Sequence, residues 1–438
     1  MIDIIVKKFI DNNGLLNQEQ PIIIGISGGA DSVALLDILY RTGYKCIAAH
    51  CNFHLRDEES NRDALFVEEL CKTYNIVLES INFDTTNYAA DQSISIEMAA
   101  RELRYNWFEQ LRQKHSAQAI SVAHHQDDSV ETVLLNLIRG TGIRGLTGIA
   151  AKNEYIVRPL LCVTRNEIIE YLDKRQLSYV EDSTNNEDIY SRNKIRLNVI
   201  PLLETINPSA KNSINKTAGY LMQVERIYLK YINEAKAEIL NDRKINIPKL
   251  LTYDEPKAIL FEILSSYHFN SATIDEIYEA IEGISGKVFY SETHRLLKDR
   301  EYLIIDEKKE QAEKDSFTID ESDSCIEYPL NAKIEVIEKS PSFEMERNAS
   351  VLYLDKDKIS YPLTLRHWQQ GDWFIPLGMS GKKKISDYFS DQKYSLFDKE
   401  NIWLLCSGND IVWVVGKRGD NRYKITDTTS HIIKISLI

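Results

Sequence analysis

Apolar and polar positions repeat with different periods along the chain, and the changes of period divide it. Short apolar runs at Ile22-Ile23-Ile24-Gly25-Ile26, Cys46-Ile47-Ala48-Ala49-His50, Val77-Leu78-Glu79-Ser80-Ile81 and Ala119-Ile120-Ser121-Val122-Ala123 predict strands. Stretches with helical character lie between and after them, at Val33 to Tyr40, Leu65 to Tyr74, Glu97 to Lys114 and Val130 to Arg139. This alternation predicts βαβ units, hence an α/β N-terminal domain with a doubly wound parallel sheet. From about Ser209 the period becomes helical, with Tyr220, Val224, Ile227 and Tyr231 in one series and Ile274, Ile277, Ile281 and Ile284 in another. After Asp315 short alternating runs return, such as Ile334-Glu335-Val336-Ile337 and Ile411-Val412-Trp413-Val414-Val415. Gly371-Asp372, Gly408-Asn409 and Gly419-Asp420 punctuate them. The expected organisation is an α/β domain over 1–208, a helical domain over 209–315 and a small β-rich C-terminal domain over 316–438.

Composition agrees with several domains, since 438 residues exceed one ordinary domain. No apolar run approaches the ~20 residues of a membrane span, and the first residues lack the pattern of a secretion signal. The six cysteines, Cys46, Cys51, Cys71, Cys162, Cys325 and Cys406, show no CxxC spacing, so neither a disulfide framework nor a cysteine zinc site is expected. A cytoplasmic location fits that usage. The net charge of −13 leaves RNA binding open. Much of the acidic excess sits between Glu307 and Arg347, whereas Arg192-Asn193-Lys194-Ile195-Arg196 and Lys382-Lys383-Lys384 are basic clusters.

One short segment carries chemistry. Ser27-Gly28-Gly29-Ala30-Asp31-Ser32 follows the first strand and opens a helix, where free backbone N–H groups and the helix dipole favour an anion. Two glycines allow a tight turn and close approach, and Ser27 and Ser32 add hydroxyls. The predicted nucleotide-binding residues are therefore Ser27, Gly28, Gly29, Ala30, Asp31 and Ser32. This hexapeptide resembles the SGGxDS loop of the N-type ATP pyrophosphatases, the PP-loop superfamily, whose members cleave ATP between the α and β phosphates.

Further motifs narrow the resemblance to the tRNA(Ile)-lysidine synthetase family, over essentially the whole chain. Glu97-Met98-Ala99-Ala100-Arg101-Glu102-Leu103-Arg104-Tyr105 resembles its E-x-x-A-R-x-x-R-Y helix, and Ala123-His124-His125-Gln126-Asp127-Asp128-Ser129-Val130-Glu131-Thr132 its A-H-H-x-x-D-x-x-E-T segment. Arg139-Gly140-Thr141-Gly142-Ile143-Arg144-Gly145-Leu146, Arg158-Pro159-Leu160-Leu161, Glu181-Asp182-Ser183-Thr184-Asn185 and Arg192-Asn193-Lys194-Ile195-Arg196 continue it in order. One departure is His50-Cys51-Asn52-Phe53-His54-Leu55-Arg56, which displaces the second histidine of H-x-N-H-x-L-R by one position.

The resemblance implies an ATP-dependent ligase acting on tRNA(Ile) with a CAU anticodon. It would join L-lysine to C2 of the wobble cytidine through an adenylated base, giving lysidine, AMP and pyrophosphate. ATP and Mg²⁺ are the implied cofactors; no membrane partner is expected, and a homodimer is left open. Asp31 is the candidate for orienting the metal, with helix capping as the alternative. Asp128 and Glu131, three apart at a helix start, are candidates for binding or deprotonating lysine, with a capping arrangement or a solvated acidic turn as the alternative. Arg104 joins Asp31, Asp128 and Glu131 in the catalytic set. Arg192, Arg196, Lys382, Lys383 and Lys384 are the candidate tRNA contacts, against ordinary ion pairs or a solvated face. Two other functions compete: a tRNA thiolase of the same ATP-using class, disfavoured by cysteine usage, and a non-catalytic RNA-binding module, disfavoured by the intact loop.

Overall fold

Three consecutive isoleucines, Ile22, Ile23 and Ile24, make up most of one four-residue strand, and all three are fully buried. Because strand side chains alternate in direction, Ile22 and Ile24 enter one core and Ile23 another. A strand buried on both faces reads as a continuous apolar run and calls for helices on both sides of the sheet. The computed structural model describes residues 2–55, 57–181, 191–308, 316–340, 343–346 and 348–438. Residues 182–185 of the Glu181–Asn185 motif, Arg56, Glu310, Glu313, Asp315 and Arg347 lie outside the described residues.

The chain divides into two compact units, Met1–Leu229 and Lys230–Ile438. The first begins with α1 (Ile2–Asn13), β1 (Ile22–Gly25), α2 (Ala30–Arg41), β2 (Cys46–Asn52), α3 (Asp57–Tyr74), β3 (Val77–Asn82), α4 (Thr85–Gln92) and α5 (Ile96–Lys114). It continues with β4 (Ala119–Ser121), α6 (Gln126–Arg139), α7 (Ile143–Leu146), β5 (Lys152–Asn153), β6 (Ile156–Val157) and α8 (Arg165–Arg175). Then come α9 (Ser191–Lys194), a π-helical turn over Ile195–Val199, α10 (Ile200–Ile206) and the long α11 (Ala210–Ile239), which runs on into the second unit. Side-chain caps fix several helix starts: Ser95 accepts from the Met98 amide at α5, and Thr164 and Glu167 form a capping box at α8.

The six strands are ordered β3-β2-β1-β4-β6-β5, parallel except for β5. This is the doubly wound sheet the sequence predicts. Sequence order reverses on either side of β1, where β2 and β4 flank it, and a crevice opens beyond strand ends at such a point. Three segments leave the sheet there: the loop after β1, the Phe53 turn after β2 and the Val122–His125 turn after β4.

The second unit carries helices at Pro256–Ser265 and Ser271–Glu279; of the predicted series Ile274 and Ile277 are buried on the latter, Ile281 is buried just past its end, and Ile284, further on, is exposed. It also carries a five-stranded antiparallel sheet between Leu240 and Glu307, which the sequence reading did not include. Beyond it, one five-stranded and one four-stranded antiparallel sheet share a core of Leu363, Leu365, Leu405 and Trp413 with Leu352, Leu354, Ile433 and Ile435. That is the β-rich C-terminal region. The Tyr220, Val224, Ile227 and Tyr231 series does lie on a helix, but all four are exposed, between 42% and 72%.

Candidate active site

The loop after β1 is shaped by its own serines. Ser32 Oγ donates to the Gly29 carbonyl at 2.9 Å and accepts from the Ser27 amide at 3.2 Å. The turn requires glycine at 28, where φ is +89° and an added Cβ would meet Phe66 at 3.3 Å. Its carbonyl accepts from the Val180 amide at 3.0 Å, which ties the loop to the segment after α8. Gly29 is the N-cap residue of α2 and contributes no side chain, so the amides of the first turn face the crevice unscreened.

A cavity of about 300 Å³ lies beyond these strand ends. Its lining brings together Ser27, Gly29, Asp31 and Ser32 of the loop with Arg104 of α5 and Asp128 of α6. Gly28 and Ala30 shape the loop but do not line the cavity. Its apolar wall comes from alternate residues of β2 and its turn, Ala49, Cys51 and Phe53, together with Phe108. Phe108 packs directly on Gly25, where an added Cβ would lie 2.9 Å from its ring. The Arg104 guanidinium sits 5.1 Å from the centre of the Phe53 ring, which keeps the cation at the edge of the apolar wall. Burial pushes the Cys51 thiol up to about 12, so it stays protonated.

Asp31 pairs with Arg165, the first residue of α8, and lies 3.8 Å from His125 Nε2. Its Oδ1, the oxygen that faces both Arg165 and His125, is buried and makes no aligned hydrogen bond among the described residues. Asp128 has two duties. Its Oδ2 accepts from the His125 amide at 2.9 Å and so caps α6, while Oδ1 faces Arg196 at 3.9 Å. The capping alternative therefore holds for Asp128, which also lines the cavity.

Glu131, one turn on, is only 1% exposed and does not line the cavity. Arg196 grips it with two hydrogen bonds, 2.6 and 3.1 Å long, and Arg192 Nε lies 3.1 Å away. Arg192 also donates to Thr132 Oγ1 at 2.8 Å. These two arginines, expected from the sequence to meet tRNA, therefore hold the segment starting at Ser191 against α6. The solvated acidic turn is not what Glu131 forms, because each of its oxygens already faces a guanidinium.

Comparison with known proteins places this geometry. Residues 2–203 match the PP-loop domain family, 240–308 the TilS substrate binding domain and 363–436 the TilS substrate C-terminal domain. A tRNA(Ile)-lysidine synthase from Parabacteroides distasonis is 49% identical over 434 residues, 99% of each chain. One from Bacteroides thetaiotaomicron is 49% identical over 438 residues, all of both chains, and one from Porphyromonas gingivalis 38% identical over 427 residues, 94% of this chain and 93% of its own. The chain belongs to the tRNA(Ile)-lysidine synthase family. As a member it is an ATP-dependent ligase, with the cavity lying inside its PP-loop domain.

The synthase family's other matched regions lie in the second unit. There Trp373 is flanked by Lys382 Nζ at 3.9 Å and the Arg422 guanidinium at 4.6 Å from its ring centre. Phe374 is fully buried core, and the half-buried Trp368 packs edge-on against buried Phe389. Lys383 is paired with Asp391, whereas Lys382 and Lys384 are exposed.

Some of this synthase's site residues had no sequence signal. Arg165 reaches Asp31 across 134 positions and Lys211 reaches Asp127 across 84, distances at which spacing says nothing. Phe53 was within reach of inference, since it occupies the place where the family motif has histidine. The displaced His54 sits in the turn at φ +49°, with Nε2 3.0 Å from Asn82 Oδ1.

Proposed function

We propose that this chain ligates L-lysine to C2 of the wobble cytidine of tRNA(Ile) bearing a CAU anticodon. ATP first adenylates the cytidine, and AMP and pyrophosphate are the products. The observation that carries this reading is the meeting, in one cavity, of the SGGADS loop with Arg104 and Asp128. The loop amides and the two serine hydroxyls suit the phosphates, and the wall of Ala49, Cys51, Phe53 and Phe108 suits an adenine ring. Arg104 provides a fixed positive charge beside the transferred phosphoryl group.

Mg²⁺ fits the residues present. Asp31 offers a carboxylate in the cavity lining beside the phosphate loop, paired with Arg165, and Mg²⁺ commonly takes one or two carboxylates together with substrate phosphates and water. Among the described residues no cluster of three or more His, Cys, Asp or Glu side chains is arranged to hold a metal by itself. Asp31 would hold the ion, which when bound neutralises phosphate charge.

Lysine must lose a proton before its amine attacks, because its side chain has a pKa near ~10.4. We assign this to Asp128, which lines the cavity with one oxygen fixed by the α6 cap and the other facing Arg196. Glu131 supports it by fixing Arg196, the cation beside Asp128. We assign the remaining regions, 209–315 and 316–438, to holding tRNA, with Lys382 and Lys384 among the contacts. Against a thiolase stands Cys51, the sole cysteine in the cavity lining, kept as a thiol by burial.

The test supplies ATP, Mg²⁺, labelled lysine and tRNA(Ile). Lysine entering a single cytidine, with AMP and pyrophosphate released, supports the reading. Incorporation of sulfur or of another amine overturns it.

A further inference from the structure

His124 lies between the strand that ends at Ser121 and the helix that begins at Gln126, and its ring lines the nucleotide cavity. Its Nδ1 is 3.3 Å from Nε of Arg158, a residue only 7% exposed. Arg158 is itself anchored. Its Nη1 donates to the Ala150 carbonyl at 2.8 Å, its backbone amide donates to Ala151 at 2.9 Å, and its side chain also bonds Tyr105. A guanidinium has only donors, so the imidazole nitrogen facing it must accept. In a neutral ring the proton then resides on Nε2. That nitrogen has no partner among the described residues, and the ring stands at the cavity wall.

We propose that Arg158 is a positioning residue that locks His124 as the Nε2–H tautomer, so that the ring offers the nucleotide cavity a fixed, uncharged proton donor for a phosphoryl oxygen. In this state the ring cannot act as a general base through Nε2, because that nitrogen already carries the proton. A charged ring is opposed as well, since protonated Nδ1 would point at the Arg158 donor. The surroundings act in the same sense. Burial, then the guanidiniums of Arg158, Arg192 and Arg101, hold the imidazole down to about 4 against the opposite pull of Asp128. These charges come from every side: Arg101 from α5, Asp128 from α6, Arg158 from the segment after β6 and Arg192 from α9. An uncharged donor can stabilise negative charge that appears only during reaction, without drawing in an anion beforehand.

The identity of the acceptor rests on the function proposed above, but the tautomer does not, and the experiment separates the two. Ring ¹⁵N–¹H spectra of the full-length protein, with His124 assigned by its loss in His124→Gln, should show the Nε2–H form, uncharged from about pH 5.5 upward. In Arg158→Gln the ring should take up charge as pH falls toward the ordinary histidine value of ~6.5, and Arg158→Lys should partly restore the wild-type titration. For adenylate formation, Arg158→Gln should lower kcat at least about tenfold with a smaller change in KM for ATP, the loss expected when one donor is no longer held in place. An Nδ1–H tautomer in the wild-type protein, or a wild-type His124 titrating near ~6.5, overturns the proposal even if Arg158→Gln does not fold. A folded Arg158→Gln with an unchanged ring spectrum overturns it too. A correct tautomer in a protein that forms no adenylate leaves the positioning role standing and removes the ligase reading.

Discussion

Removing the Glu131 carboxylate should loosen the start of the π-helical turn from α6, and a double-mutant cycle with Arg196 measures by how much. Glu131 is 1% exposed and takes two hydrogen bonds from Arg196 at 2.6 and 3.1 Å. Hydrogen bonds to charged groups contribute about 1.5–3 kcal/mol each, and breaking a fully buried pair costs about 3–5 kcal/mol. Two features reduce that figure. The Arg196 side chain is 37% exposed, so water can replace part of what it loses, and Arg192 stays beside Glu131 when Arg196 is removed. Glu131→Gln and Arg196→Met should therefore each cost about 2–3 kcal/mol, and the double variant should cost about 2 kcal/mol less than their sum. Native-state hydrogen exchange of the α6 amides reads these differences locally. A coupling below about 0.5 kcal/mol would show that the two side chains sit together without holding anything, and the support assigned to Glu131 would fall.

Asp31→Asn should abolish adenylate formation in a protein that still folds; unimpaired AMP release by the folded variant removes Asp31 from metal handling. Asp128→Asn should slow lysine transfer more than adenylation, and single-turnover measurement of each half-reaction checks it, equal loss in both being the contrary result. Lys382→Ala and Lys384→Ala should each flatten the salt dependence of tRNA binding by roughly one unit of slope, whereas Lys383→Ala, already paired with Asp391, should leave it nearly unchanged. Asp127 supplies a pH test. Burial raises its pKa, but the Arg165 amide and the Lys211 ammonium outweigh it and leave the carboxyl below its ordinary value. Its stabilisation is thus present above about pH 4 and is lost as pH falls through the lower folded value, so Asp127→Asn should flatten the acid side of the stability curve.

The first unit was legible because its signals are local. An apolar run followed by SGGADS carries strand, turn and helix start within eleven residues, and the structure brings four of those six loop residues to the cavity. Glu131 shows where local reasoning stops. Its helix and its place beside Asp128 follow from spacing, but its partners lie 61 and 65 positions away, and only the fold reveals that they occupy both oxygens. The sheet between Leu240 and Glu307 was missed because its strands are two to six residues long, too short for alternation to outweigh the neighbouring helical period. Tyr220, Val224, Ile227 and Tyr231 teach a different lesson. Periodicity establishes that residues share a helix face, not what covers that face.

The contact between Gly25 and Phe108 has a mechanical consequence. Phe108 sits on α5 four residues after Arg104 and three after Tyr105, so the floor of the cavity and its charged wall ride on one rigid rod. A single methyl group at position 25 cannot be absorbed by the backbone of β1, which is paired on both sides, and must push the ring, and the rod with it. The smallest side chain in the chain thus sets the distance at which the arginine is presented, and turnover would be tuned from a position that touches no phosphate.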